Sequence, residues 1–143
     1  MKRFIAAMLA CAALAARAET VTPPPIAARA YVLVDALSGQ TLAASSADVS
    51  FAPASLTKLM TAYVVFAALR DHKLEESEPV APSAKAAQAP GSRMFIEAGK
   101  PATIDELLQG LVVESGNDAA IALAEATAGS EGRFVALMND EAA

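Results

Sequence analysis

The sequence predicts an α+β fold, and three observations carry that expectation. An apolar, β-prone run, Tyr31-Val32-Leu33-Val34-Asp35, is answered across the turn signal Leu37-Ser38-Gly39-Gln40 by Thr41 to Ala44, the pattern of an antiparallel hairpin. After Pro53 the chain reads as helices separated by short breaks. Strand and helix do not alternate, which argues against a parallel sheet built from crossover helices. Two strands are too few to make a stable sheet, so the fold is expected to be incomplete within these 143 residues.

The elements follow in order. Met1-Lys2-Arg3 is a basic start, Phe4 to Ala16 an almost unbroken apolar run, and Ala16-Arg17-Ala18 places small residues where a signal peptidase reads. The run is shorter than the roughly 20 apolar residues that span a bilayer. Residues 1–18 are therefore expected to be a signal peptide cleaved after Ala18. Residues 19–29, with Pro23-Pro24-Pro25, form a stiff proline-rich linker. The folded part begins at residue 30 and continues to residue 143.

Ser55 to Leu69 holds neither Gly nor Pro, and Lys58 is its one charge. Leu56, Leu59, Met60, Val64, Val65, Phe66 and Leu69 surround it on every side, as in a helix buried in the middle of a domain. Glu75 to Pro90 is polar and proline-punctuated and reads mostly as loop. Met94-Phe95-Ile96 fits a short strand. Thr103-Ile104-Asp105-Glu106 is a capping box that opens a helix running to about Glu114. A second helix follows Asn117 or Asp118 as its cap and stops near Gly129. Ser130 caps a third, with Phe134, Leu137 and Met138 on one face. Leu56, Val64, Phe66, Leu111 and Ile121 read as core.

Composition excludes several functions. The 11 basic and 16 acidic residues become 8 against 16 once Lys2, Arg3 and Arg17 leave with the signal, a net charge of −8. Nucleic acid is an unsuitable partner for such a surface, because phosphate contacts need clustered Lys and Arg. Cys11, the single cysteine, lies in the signal, so the mature chain has no disulfide, thiolate metal site or cysteine nucleophile. His72, the single histidine, sits in the charged helix end Arg70-Asp71-His72-Lys73 and reads as solvated; no Ser-His-Asp triad is available. The adjacent carboxylates Glu75-Glu76 and Asp105-Glu106 fit solvation and capping better than acid–base pairing.

Two constellations can carry chemistry. In Ser55-Leu56-Thr57-Lys58, positions three apart share a helix face with Cβ atoms about 5–6 Å apart, so the lysine amine reaches the serine hydroxyl. An amine can replace histidine as the base for a serine nucleophile, and mostly apolar surroundings favour the neutral amine that role requires. At a helix start, free N–H groups favour developing negative charge. Ser115-Gly116-Asn117 breaks the pattern between two helices, so hydroxyl and carboxamide project from one tight loop. By itself this second motif is equally well an ordinary helix-helix turn.

Together these motifs follow the order of the penicillin-binding proteins and class A β-lactamases. Pro53 through Thr61, Gly91-Ser92-Arg93-Met94-Phe95 and Leu107 through Leu123 resemble the low-molecular-mass penicillin-binding proteins that are D-alanyl-D-alanine carboxypeptidases. The resemblance runs from about Ala30 to the last residue. It implies the serine β-lactamase/DD-peptidase fold, with residues 30–143 as the N-terminal portion of its catalytic domain. It also implies a carboxypeptidase that removes the terminal D-alanine from peptidoglycan stem peptides and is acylated by β-lactams. Ser55 would be the nucleophile, Lys58 the base, Ser115 the proton relay and Asn117 the substrate-binding amide, with no metal or organic cofactor. An exported, periplasmic enzyme is implied, with peripheral inner-membrane contact through a C-terminal helix. One departure stands out: no Lys-Thr-Gly strand occurs within these residues. A class A-like β-lactamase and a non-catalytic, penicillin-sensing relative are the alternatives, separated by a glutamate loop or a Lys-Thr-Gly strand further on.

Overall fold

A computed structural model describes residues 24–143, which divide into two compact units, one up to Phe51 and one from Ala52 onward. The expected signal peptide, and the linker up to Pro23, lie outside the described residues.

The first unit is the expected hairpin. Strand β1 (Tyr31–Val34) pairs antiparallel with β2 (Thr41–Ser45), Tyr31 opposite Ser45 and Leu33 opposite Ala43, with an irregularity before Val34. The Asp35 carboxylate closes the turn by accepting the Ser38 amide at 2.8 Å and the Ser38 hydroxyl at 2.6 Å. These bonds, the hydroxyl's first, hold the Asp35 carboxyl below the usual carboxylate range. Gly39 completes the turn at φ 72°, a conformation that costs glycine nothing. Arg29 stacks 4.8 Å over the Phe51 ring.

The second unit is helical. A single 3₁₀ turn, Ala54–Leu56, leads into α1 (Thr57–Arg70). Helix α1 ends in a Schellman motif, in which His72 takes a left-handed φ of 55° and the Lys73 amide donates to the Ala68 carbonyl at 2.9 Å. The exposed His72 thus terminates a helix, in agreement with its expected solvation. The stretch read as loop contains two short elements, β3 (Pro79–Val80) and α2 (Ala84–Ala87). Strand β3 pairs with β4 (Ala102–Thr103), Pro79 opposite Thr103. The partners lie 24 residues apart in sequence, so no local pattern announced them.

Thr103 caps α3 (Ile104–Val113) through the full capping box: its hydroxyl accepts the Glu106 amide while the Glu106 carboxylate accepts the Thr103 amide. Helix α4 (Asn117–Ala128) ends at Gly129, and α5 (Glu131–Glu141) is capped by Ser130 as expected. The core lies between α1, α3, α4 and α5, where Val65, Ile104, Leu107, Leu111, Leu123 and Phe134 are buried. Small Ala119, Ala122 and Ala124 on α4 let neighbouring helices approach closely.

Three expectations need correction. Met94-Phe95-Ile96 is not a strand, because its amides bond to a carboxylate instead of a neighbouring strand and Phe95 has φ 64°. Neither Asn117 nor Asp118 caps α4: the cap position is Gly116, which brings no side chain. Helix α1 is buried on one side only. Val64 and Val65 are in the core, but Leu56, Leu59, Tyr63 and Phe66 form a stripe 53–72% exposed.

Candidate active site

Ser55 occupies the 3₁₀ turn just before α1, and Lys58 stands at the second position of α1. The helical offset brings Lys58 Nζ to 3.4 Å from Ser55 Oγ, a long hydrogen bond. Ser55 is exposed and Lys58 half-buried, so the hydroxyl faces solvent while the amine is flanked by protein. Just before Ser55, Ala54 has φ 49°. A left-handed alanine costs about 1–2 kcal/mol, strain of the type that gathers at functional sites.

Asn117 is the first residue of α4 and reaches the same cleft. Its Nδ2 donates to the Pro90 carbonyl at 2.6 Å, and its backbone amide donates to the Ser92 carbonyl at 2.7 Å. Gly91 lies between those two carbonyls with φ 87°, and a Cβ there would stand 2.8 Å from Asn117 Nδ2. Only glycine leaves the carboxamide where it is. Ser55, Lys58 and Asn117 together line one cleft of about 740 Å³, whose deeper wall is apolar through Ile121, Phe134 and Met138. Among its lining residues Lys58 is the one cation. The one acid, Glu131, is paired with Lys85, whose ammonium is held above its usual range by that carboxylate.

Ser115 stands at the turn between α3 and α4, half-buried, with φ 53°. It does not line the cleft and makes no hydrogen bond to Ser55 or Lys58 among the described residues. Three of the four site residues are therefore brought together directly, and the fourth is two residues from Asn117 on the same turn. Among the described residues no cluster of metal-ligating side chains occurs.

The sequence did not foretell what fastens this turn. Asp118 is fully buried. Its carboxylate accepts amides from Met94 at 3.1 Å, Phe95 at 2.8 Å, Ile96 at 3.2 Å and Ala119 at 2.9 Å. Gly116 is needed beside it, since a Cβ there would come within 2.8 Å of Asp118 Oδ1. The one sequence signal was the Gly91-to-Phe95 segment, legible as family-like but not as Asp118's partner.

A serine beside a lysine at a helix start, with an asparagine from the next interhelical turn in the same cleft, matches the order of motifs known from penicillin-binding proteins. The family follows from comparison. A profile described as D-alanyl-D-alanine carboxypeptidase matches residues 17–143, and the chain belongs to that family. It is 43% identical over 128 residues to the D-alanyl-D-alanine carboxypeptidase DacC of Escherichia coli, covering 85% of this chain and 32% of that protein. It is 40% identical over 115 residues to DacF of Bacillus subtilis, covering 80% and 30%. Penicillin binding protein 5 from Haemophilus influenzae superposes with a TM-score of 0.75 at 41% identity, over 85% of this chain and 36% of that one. The fold is thus α+β of the penicillin-binding DD-peptidase type, and the chain spans about a third of the length of the curated relatives it matches.

Proposed function

We propose that the protein carrying this segment is a serine-type D-alanyl-D-alanine carboxypeptidase that shortens peptidoglycan stem peptides and is acylated by β-lactams. Ser55 is the nucleophile, Lys58 the proton acceptor, Ser115 the proton relay and Asn117 the amide that holds the substrate backbone. The observation that carries the reading is the Lys58 Nζ–Ser55 Oγ approach of 3.4 Å in a cleft that Asn117 also lines.

The chemistry is a two-step acyl transfer. Ser55 Oγ bonds to the carbonyl carbon between the two terminal D-alanines as its proton passes to Lys58 Nζ. The C–N bond then breaks, and the terminal D-alanine leaves with a proton delivered through Ser115. Water attacks the resulting ester, restores the Ser55 hydroxyl and releases the shortened peptide. The 3₁₀ turn helps by placing Ser55 where free backbone amides favour the developing oxyanion.

The setting belongs to the same proposal: an exported envelope protein whose mature chain begins at Glu19, with residues 19–29 as linker and residues 30–143 as part of the catalytic domain. N-terminal sequencing of exported protein should begin at Glu19; intact Met1 would contradict it. Peripheral contact with the inner membrane would come from outside residues 24–143, among which no helix is long and apolar enough to cross a membrane.

The test is a chimera in which residues 30–143 replace the matching third of Escherichia coli DacC. It should release D-alanine from a peptide ending in D-Ala-D-Ala, and Ser55→Ala should abolish release. Release that survives the exchange would overturn the reading.

A further inference from the structure

We propose that Asp118 is a positioning residue for acylation: its buried carboxylate gathers the Met94, Phe95 and Ile96 amides and so fixes the segment that sets the Asn117 carboxamide in the cleft. This rests on the carboxypeptidase reading above.

Asp118 is fully buried, yet no lysine, arginine or histidine forms an ion pair with it among the described residues. A buried carboxylate without a cation needs several strong donors in its place. Four backbone amides supply them, three from a segment 22–24 residues earlier in the sequence. Its position in the first turn of α4 adds the favourable end of the helix dipole.

Those three amides belong to a segment that makes no strand. Phe95 is held at φ 64°, which a bulky residue adopts only when its surroundings over-determine it. Gathering three successive amides onto one carboxylate provides that constraint. The neighbouring Met94 sulfur presses into the notch left by Gly110 on α3, only 2.1 Å from where a Cβ would stand, so the segment is fastened from both sides.

The same segment reaches the site at its other end. Pro90 takes the Asn117 side-chain amide, Ser92 takes the Asn117 backbone amide, and Gly91 between them, having no Cβ, leaves the space that the carboxamide occupies. Asp118 and Asn117 are adjacent, so one dipeptide grips both ends of Pro90–Ile96. With Nδ2 committed to Pro90, the direction in which Asn117 presents its remaining amide proton and its Oδ1 is set by that segment. Asp118 thus acts on substrate through Asn117, without touching it.

The distinguishing measurement is a double-mutant cycle in the DacC chimera, read as the rate of acylation by a fluorescent penicillin, with melting temperature followed in parallel. Asp118→Asn keeps the shape but turns a carboxamide NH2, a donor, toward backbone amides that are themselves donors. It should slow acylation by about 10- to 100-fold, the scale of a displacement near 1 Å at a reacting group. Asn117→Ala should slow it comparably. Because Asp118 acts through Asn117, the double variant should be slower than Asn117→Ala by no more than about twofold. Losses that multiply, or an Asp118→Asn variant acylated at the parent rate, would overturn the proposal. Should Asp118→Asn fail to fold, Gly91→Ala in the same cycle decides, since its methyl displaces the Asn117 carboxamide directly: non-additivity with Asn117→Ala supports the segment's role and additivity refutes it. A parent chimera that melts cooperatively but is never acylated would instead refute the carboxypeptidase reading itself.

Discussion

Lys58 reaches Ser55 because a helix places residues three apart on one face, and that geometry is written in the order of the residues. The pair was therefore legible from the sequence alone, as was the break between α3 and α4 at Ser115-Gly116, although Asn117 proved to be the first residue of α4. Asp118 was not. Its partners are the amides of residues 94–96, and a backbone amide has no signature in a sequence beyond being present. The natural local reading of an Asp beside a helix start is a cap, whereas tertiary contact turned this carboxylate toward another loop. Positive φ at Ala54, Phe95 and Ser115 was equally unreadable, since none is glycine. Lys58 is the proposed base, and its charge state can be tested. In the DacC chimera, Lys58→Arg should reduce D-alanine release by about 10²–10⁴-fold, the usual contribution of a general base, because a guanidinium stays protonated. Arginine supporting near-parent turnover would show that Lys58 supplies only positive charge.

Elements with strong local signals emerged where the residues placed them. The hairpin closed through the Asp35–Ser38 turn, α3 began at its capping box, and α4 stopped at Gly129. Elements that depend on distant partners did not. Strand β3 exists only because β4 lies beside it, and Met94–Ile96, apolar enough for a strand, lost its amides to a carboxylate. The capping box makes a quantitative test at this scale. Thr103→Ala removes the oxygen that accepts the Glu106 amide and should destabilise the chain by about 1 kcal/mol. Urea unfolding should show a lower midpoint with an unchanged slope; an unmoved midpoint would mean that α3 does not depend on its cap.

At the scale of the molecule, one face of α1 shows how far local reading extends. The all-round apolar pattern predicted burial on every side, but within the described residues the core covers only the Val64–Val65 side. The Leu56, Leu59, Tyr63 and Phe66 stripe remains exposed, and apolar surface left in water forgoes about 25 cal/mol for each Å². Ser55 and Lys58 sit at the N-terminal end of that helix, so whatever steadies α1 also steadies the pair. This couples the stability of the unit to the chemistry proposed for it.

The central claim is that Ser55 becomes acylated, and peptide mapping after reaction with penicillin tests it most directly. The DacC chimera, labelled, digested with trypsin and fragmented, separates the alternatives, because Ser55 falls in the peptide that ends at Lys58 and Ser115 in Met94–Arg133. One adduct is expected, on Ser55, and none in Ser55→Ala. An adduct on Ser115, or on the Ser55→Ala protein, would contradict that claim.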